Sequence, residues 1–187
     1  MARLEEVVRR RLAARPPRLA STKDLRPAAV LVPLVSEAGE YRLLLTVRAS
    51  SLRRQPGEVS FPGGAIDRDD ASPLTAALRE SEEEVGLKAS DVDVLGQMDE
   101  FPTITGFRIT PFVGLVRGPY VFQVNHEVEK LLLVPLSTLR EPGVVSVEQR
   151  EIRAGHRIPV YHYRYREHDI WGITGLLVKE LLDLVRG

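Results

Sequence analysis

The stretch that most restricts the fold runs from Ser72 to Leu87. Ser72 is a side-chain acceptor suited to a helix N-cap, and Pro73 suits the first helical position, where no N–H is needed. Leu74, Ala77, Leu78, Ser81 and Val85 recur at helical spacing and supply a small, mostly apolar face for packing. Glu80, Glu83 and Glu84, spaced i, i+3, i+4, share another arc, within roughly 6 Å along the axis at about 100° per residue. Three like charges held so closely repel one another. A divalent cation turns that repulsion into ligation, and hard carboxylate oxygens suit Mg²⁺ or Mn²⁺. Arg79 lies one turn before Glu83 and is expected to pair with it, fixing its rotamer. Glu82 points away from the triplet and is expected to face solvent. A solvated acidic face is the plain alternative, and the flanking residues decide between the two.

Around this helix the pattern alternates strands and helices. Leu4, Val7, Val8 and Leu12 fit an amphipathic helix docked on the domain and ended by Arg15-Pro16-Pro17. Residues 1–22 are assigned as this helix and a link, and residues 23–187 as one domain, large enough for its own core. Strands are expected at 28–34 and 42–48, joined by a turn at 37–39, then a loop at 49–57 rich in Ser, Arg and Gly. Val59 and Phe61 form a short strand running into a turn at Gly63-Gly64, where the missing Cβ lets backbone approach a metal or phosphate. Asp67, Asp69 and Asp70 read as turn and cap, since the rest of a calcium loop is missing. Further strands are expected at 92–99, 107–117 and 128–134, with a surface hairpin near 147–165. A closing helix runs from Trp171, a packing anchor, to Val185. The order is that of an α/β protein with a mixed sheet between helices.

Charge narrows the function. The 26 basic and 26 acidic residues leave no net charge, which argues against nonspecific binding to nucleic acid or to a membrane surface. With no cysteine there is no disulfide framework and no thiolate chemistry, which is compatible with the cytoplasm, the expected location. No apolar run reaches the length of a membrane span, and the first residues lack the apolar core of a secretory signal. The four histidines show no metal-ligand spacing. The sequence does not fix the oligomeric state.

The segment from Gly64 to Leu87 resembles the Nudix box: Gly, five residues, Glu, seven residues, then Arg-Glu-U-x-Glu-Glu-x-Gly-U with U apolar. Gly64 matches the opening glycine, and Arg79, Glu80, Glu83, Glu84, Gly86 and Leu87 match the second half in order. Asp70 stands where the pattern has Glu, and eight residues rather than seven separate it from Arg79. Upstream, Leu44-Leu45-Thr46-Val47-Arg48 and Gly57-Glu58-Val59-Ser60-Phe61-Pro62-Gly63-Gly64 resemble the signature of the coenzyme A pyrophosphatase subfamily, whose box tends to be lengthened with Asp at that position. The resemblance covers roughly residues 25–185 and implies the Nudix fold, an α/β/α sandwich.

It also implies a chemistry. A pyrophosphate bridge repels nucleophiles, so its hydrolysis needs cations on the phosphoryl oxygens and an acidified water. The resemblance assigns Glu80, Glu83 and Glu84 to Mg²⁺ or Mn²⁺, with Gly64 beside them and Arg79 supporting. The base that takes the water's proton is a box glutamate such as Glu84 or a carboxylate on a later loop. Glu127 matches the subfamily glutamate ahead of an apolar strand, with Asp99 and Glu100 as weaker candidates. Arg48, Arg53 and Arg54 lead toward the metal site and suit phosphate, because a guanidinium donates paired hydrogen bonds in a plane. Phe61 is a candidate for lining the substrate. The implied substrate is coenzyme A, cut to 3′,5′-ADP and 4′-phosphopantetheine. A Nudix hydrolase for ADP-ribose or NADH, and a Nudix domain that senses a ligand without catalysis, are the alternatives.

Overall fold

The computed structural model describes residues 3–20, 24–52, 55–153 and 155–186. Its central strand, β1 (Arg26–Glu37), turns at Ala38-Gly39 into β2 (Glu40–Arg48), antiparallel with Leu34 opposite Leu43. On its other side β1 runs parallel to β7 (Phe107–Arg117), from Arg26 beside Phe107 to Ser36 beside Arg117. Beyond the turn β1 and β2 diverge, and residues 59–65 fill the gap. There β3 (Val59–Ser60) pairs with Thr46 and Val47 of β2, while β4 (Gly63–Ala65) pairs with Ala28 to Val30 of β1. β5 (Val92–Gln97) and β6 (Phe101–Pro102) pair with β7, and β8 (Val128–Pro135) pairs with the outer edge of β2.

Side chains alternate across this sheet, and both faces are covered. Val32, Leu34, Leu43 and Leu45 face a core shared with Val8 of α1 (Leu4–Ala13) and with Leu177, Val178, Leu181 and Leu182 of α3 (Gly172–Val185). Ala29, Leu31, Val35 and Leu44 face Ala76, Ala77 and Val85 of α2 (Pro73–Val85). This double burial explains why Leu43-Leu44-Leu45 is continuously apolar. Each such buried leucine contributes about 1.5–3 kcal/mol over its exposed state. The result is an α/β/α sandwich, and no helix among the described residues is long and apolar enough to cross a membrane.

Three sequence expectations change. Gly63 and Gly64 lie on β4, hydrogen-bonded to β1, rather than in a turn. Phe61 is only 3% exposed and packs in the core with Val59 and Leu132, because β3 inserts between the diverging strands; its side chain is therefore not a substrate-lining surface. A second sheet of β9 (Val145–Arg153), β10 (His156–Tyr165) and β11 (His168–Ile170) extends the expected hairpin by one strand. α3 links this sheet to the main body. Gly175 of α3 approaches β10 so closely that a Cβ would lie 2.3 Å from the Tyr161 carbonyl, and Thr174 Oγ1 donates to the Val59 carbonyl at 3.0 Å.

The first helix docks as its apolar spacing suggests. Val8 is fully buried, Arg9 pairs with Asp93 at 2.6 Å, and Arg11 Nη1 donates to the terminal carbonyls of α3 at Asp183 (3.2 Å) and Leu184 (3.0 Å). The boundary assigned at residues 22 and 23 falls outside the described residues.

Candidate active site

α2 is fixed at both ends. Ser72 Oγ accepts from the Thr75 N–H at 3.1 Å, and Gly86, at φ 69°, stops the helix in the left-handed region and donates to the Glu82 carbonyl at 2.9 Å. Ala76, Ala77, Ser81 and Val85 pack on the sheet. Glu84 lies only about 60° round the axis from Ser81, so packing Ser81 carries Glu84 inward with it. Glu84 is 6% exposed, Glu80 half-buried and Glu83 exposed. The three acids therefore span a gradient from core to solvent rather than one open arc.

The glycines of β4 receive the buried acids. Gly63 N–H donates to Glu84 Oε2 at 3.2 Å. Glu80 lies against Gly64, where a Cβ would stand 2.6 to 2.8 Å from its carboxyl atoms. Burial pushes the Glu84 carboxyl up to about 7; Glu80 and Glu127 add to the rise, while the Gly63 bond and the Arg48 charge oppose it. Burial also raises Glu80, against the pull of Arg79.

Arg79 makes the expected i,i+4 pair with Glu83, but only as a secondary contact. Its principal partner is Asp70, through Nε to Oδ1 at 3.1 Å and Nη2 to Oδ2 at 2.9 Å. Nη1 donates to Glu80 at 3.0 Å and reaches Glu83 only at 3.4 Å. A planar fork fits one carboxylate side-on better than it fits an exposed glutamate one turn away. Asp70, which replaces the box glutamate, thus braces Arg79, and the Asp67 N–H holds Asp70 in turn at 2.9 Å.

The loop before β8 brings a fourth acid. Gln123 and Asn125 N–H groups donate to the Val85 and Glu84 carbonyls at 3.0 and 3.1 Å, docking the loop on the end of α2. Asn125 Oδ1 accepts from the Glu127 N–H at 2.9 Å, and the Glu127 carbonyl accepts from Ala49 at 2.8 Å. Glu127 is thereby tied both to the acid helix and to the end of β2. Arg48 closes β2 beside it, and its Nε is buried with no hydrogen-bond partner among the described residues. Arg53 and Arg54 lie outside the described residues. The weaker base candidates are engaged elsewhere. Asp99 binds Arg15 at 2.7 and 2.8 Å, and Glu100 accepts from Thr110 Oγ1 at 2.9 Å and the Ala20 N–H at 3.1 Å. Both acids hold the N-terminal link, a task that only the distant contacts reveal.

Among the described residues no three His, Cys, Asp or Glu side chains converge into a ready cage for a metal ion. Glu80 and Glu83 lean instead on Arg79. The donor set nevertheless fits a hard divalent cation. Glu84 is a buried carboxyl with one protein hydrogen bond, and Gly64 leaves Glu80 the space a Cβ would take.

Comparisons with known proteins show the family. The NUDIX domain family matches residues 25–164. The chain is 41% identical over 160 residues to a protein of Yersinia enterocolitica named "Uncharacterized Nudix hydrolase NudL", covering 84% of this chain and 80% of that one. It is 37% identical over 191 residues to the protein of the same name from Photorhabdus laumondii, over the full length of both. Among solved structures, the M. smegmatis Nudix hydrolase RenU is 26% identical with a TM-score of 0.52, covering 61% of this chain and 73% of that one. A C. elegans Ap4A hydrolase binary complex shares the fold at 20% identity and a TM-score of 0.51, covering 60% of this chain and 82% of that one. The chain belongs to the Nudix hydrolase family. Enzymes of this family generally work with divalent metal ions such as Mg²⁺ or Mn²⁺.

Proposed function

We propose that the chain hydrolyses the pyrophosphate bond of coenzyme A and its derivatives, water adding across the P–O–P bridge to release 3′,5′-ADP and 4′-phosphopantetheine. The observation that carries the reading is the position of Arg48. The arginine of the upstream Leu-Leu-Thr-Val-Arg segment acts electrostatically on Glu84, and its buried Nε has no hydrogen-bond partner among the described residues, which supports a guanidinium kept for an anion at this site. Glu80, Glu83 and Glu84 would hold Mg²⁺ or Mn²⁺. The bound metal would neutralise the diphosphate and make a water more acidic. In this reading Glu127 accepts the proton of the attacking water, Asn125 holds the Glu127 backbone, and the Asp70–Arg79 brace fixes α2 against β4. Arg53 and Arg54 complete the phosphate contacts, and the cytoplasm, where coenzyme A is used, is the proposed location.

Two measurements test the roles. Glu127→Gln should lower kcat more than it raises KM, because proton removal matters in the transition state, while metal affinity changes little. A variant with full kcat from about pH 6 to 9 would place the base elsewhere. Coenzyme A should be cleaved better than its 3′-dephospho form, because a site built around a charged group penalises its absence. Arg53→Ala or Arg54→Ala should shrink that preference. Assaying both substrates beside ADP-ribose and NADH, with and without Mg²⁺, also separates the alternatives. Faster ADP-ribose cleavage overturns the coenzyme A assignment, and binding without any turnover identifies a sensor.

A further inference from the structure

β2 and β8 pair residue for residue from Arg42 opposite Pro135 to Val47 opposite Lys130, and then the register slips. Regular pairing would set Arg48 opposite Glu129. Arg48 stands opposite Val128 instead, so Glu129 is the extra residue of a β-bulge, one residue from Val128 and two from Glu127. A bulged residue drops out of the ladder, and its side chain is re-aimed. Here the exposed Glu129 carboxylate turns back to the end of β2, where Oε2 accepts from the Ser50 N–H at 3.1 Å.

That bond falls on the first turn of the chain after Arg48. The Arg48 N–H donates to the Glu58 carbonyl at 3.0 Å and the Gly57 N–H to the Arg48 carbonyl at 3.0 Å, which closes the base of the loop. The Leu52 N–H donates to the Ala49 carbonyl at 3.1 Å and closes the turn itself. Among the described residues the turn has two hydrogen bonds to β8 and the residue before it. The Ala49 N–H donates to the Glu127 carbonyl at 2.8 Å, and the Ser50 N–H donates to Glu129. Arg48 and Glu127 both act electrostatically on Glu84, so the bulge lies where the acid site and the arginine strand meet. By charge alone an acid beside Arg48 is unfavourable to an anionic substrate. Its hydrogen bond gives it the opposite effect, because it holds the backbone that carries the arginine.

We infer that Glu129 is a positioning residue for substrate binding: by holding the Ser50 amide it fixes the turn 49–52 against β8 and sets the Arg48 guanidinium where the diphosphate binds. The inference rests on the reading of Arg48 as a phosphate ligand. The sign of the effect separates positioning from charge. Glu129→Ala removes both the charge and the acceptor. It should raise KM for coenzyme A about three- to tenfold and leave kcat within about twofold, as when binding is loosened away from the reacting atoms. Glu129→Gln keeps an acceptor oxygen and loses the charge. Its KM should stay within about twofold of wild type or fall. On an Arg48→Ala background the change to Ala should raise KM by less than about twofold more, because the two residues act as one unit. By hydrogen exchange the Ser50 amide should open at least about threefold faster in Glu129→Ala than in wild type or Glu129→Gln. A KM that stays put or falls in Glu129→Ala overturns the inference. So does an equal loss in Glu129→Gln, an undiminished loss without Arg48, or a Ser50 amide that ignores the substitution. If wild type cleaves ADP-ribose and not coenzyme A, the substrate assignment fails and the same variants are read on ADP-ribose. If wild type binds without turnover, Kd takes the place of KM.

Discussion

Replacing Glu84 by Gln is expected to cost at least about a hundredfold in kcat, the size seen when a group facing developing charge is neutralised. The same change should make the metal-free protein less sensitive to pH. Burial raises the Glu84 carboxyl from an ordinary 4.5 to about 7. Below the ordinary value both folded and unfolded chains are protonated there, and the contribution to stability is fully present. As pH rises toward the folded value the unfolded chain ionises first, so folding stability is lost. Across the whole window the loss is on the order of 3 kcal/mol. Gln mimics the neutral acid and suffers no such loss. Denaturant melts in chelator from about pH 4.5 to 8 should therefore show wild type weakening relative to the variant across that window. Asp70 and Asp99, which arginine partners hold below the carboxylate range, give the opposite trend but cancel in the comparison. Mg²⁺ should restore wild type at neutral pH and leave the variant unmoved. Parallel curves for the two proteins would mean that Glu84 is not the strained acid. Glu82→Gln, on the solvent side of the same helix, should change little in either assay.

How much of this was legible in the sequence varies with the range of the interaction. The helix capped by Ser72, the strands at 107–117 and 128–134 and the docked first helix follow from local periodicity and turn chemistry, and the structure has them within a few residues. The inward tilt of Glu84 was also available, since three residues from Ser81 is a small angular step, but the run of acids suggests a single exposed arc. Other features depend on what lies across space. Arg79 has acids on several sides, and only the chain's return at Asp70 decides among them. Phe61 is drawn into the core because β1 and β2 part company, a divergence that alternation along 59–61 does not encode. Glu100 looks free at a strand end until Thr110 and the N-terminal link close on it. Gly63 and Gly64 signal close approach from their lack of a Cβ. That what approaches Gly63 is a sheet neighbour, and what approaches Gly64 is a carboxylate, is tertiary information.

Those two adjacent glycines should fail in different ways. Gly63 has φ 149°, and a Cβ there would lie 2.4 Å from the Ala29 carbonyl and 2.6 Å from Val30 Cα. Both are backbone of the central strand, so nothing can yield without opening the β1–β4 ladder. Gly63→Ala should cost about 3 kcal/mol or more of stability, and activity should fall with the folded population. The three atoms nearest a Cβ at Gly64 all belong to the Glu80 carboxyl, at 2.6 to 2.8 Å, and a carboxylate can swing aside. Gly64→Ala should therefore stay within about 1 kcal/mol of wild type in a denaturant melt. Its kcat should nevertheless fall by about a hundredfold, and half-saturation should need more Mg²⁺, because Glu80 is pushed off the glycine strand that positions it beside Glu84. Melts and Mg²⁺ titrations on both variants separate the two effects. A Gly64→Ala protein that is stable and fully active would mean that Glu80 works from a position the strand does not set. One as unstable as Gly63→Ala would mean that the carboxylate, not the backbone, is the rigid partner at this contact.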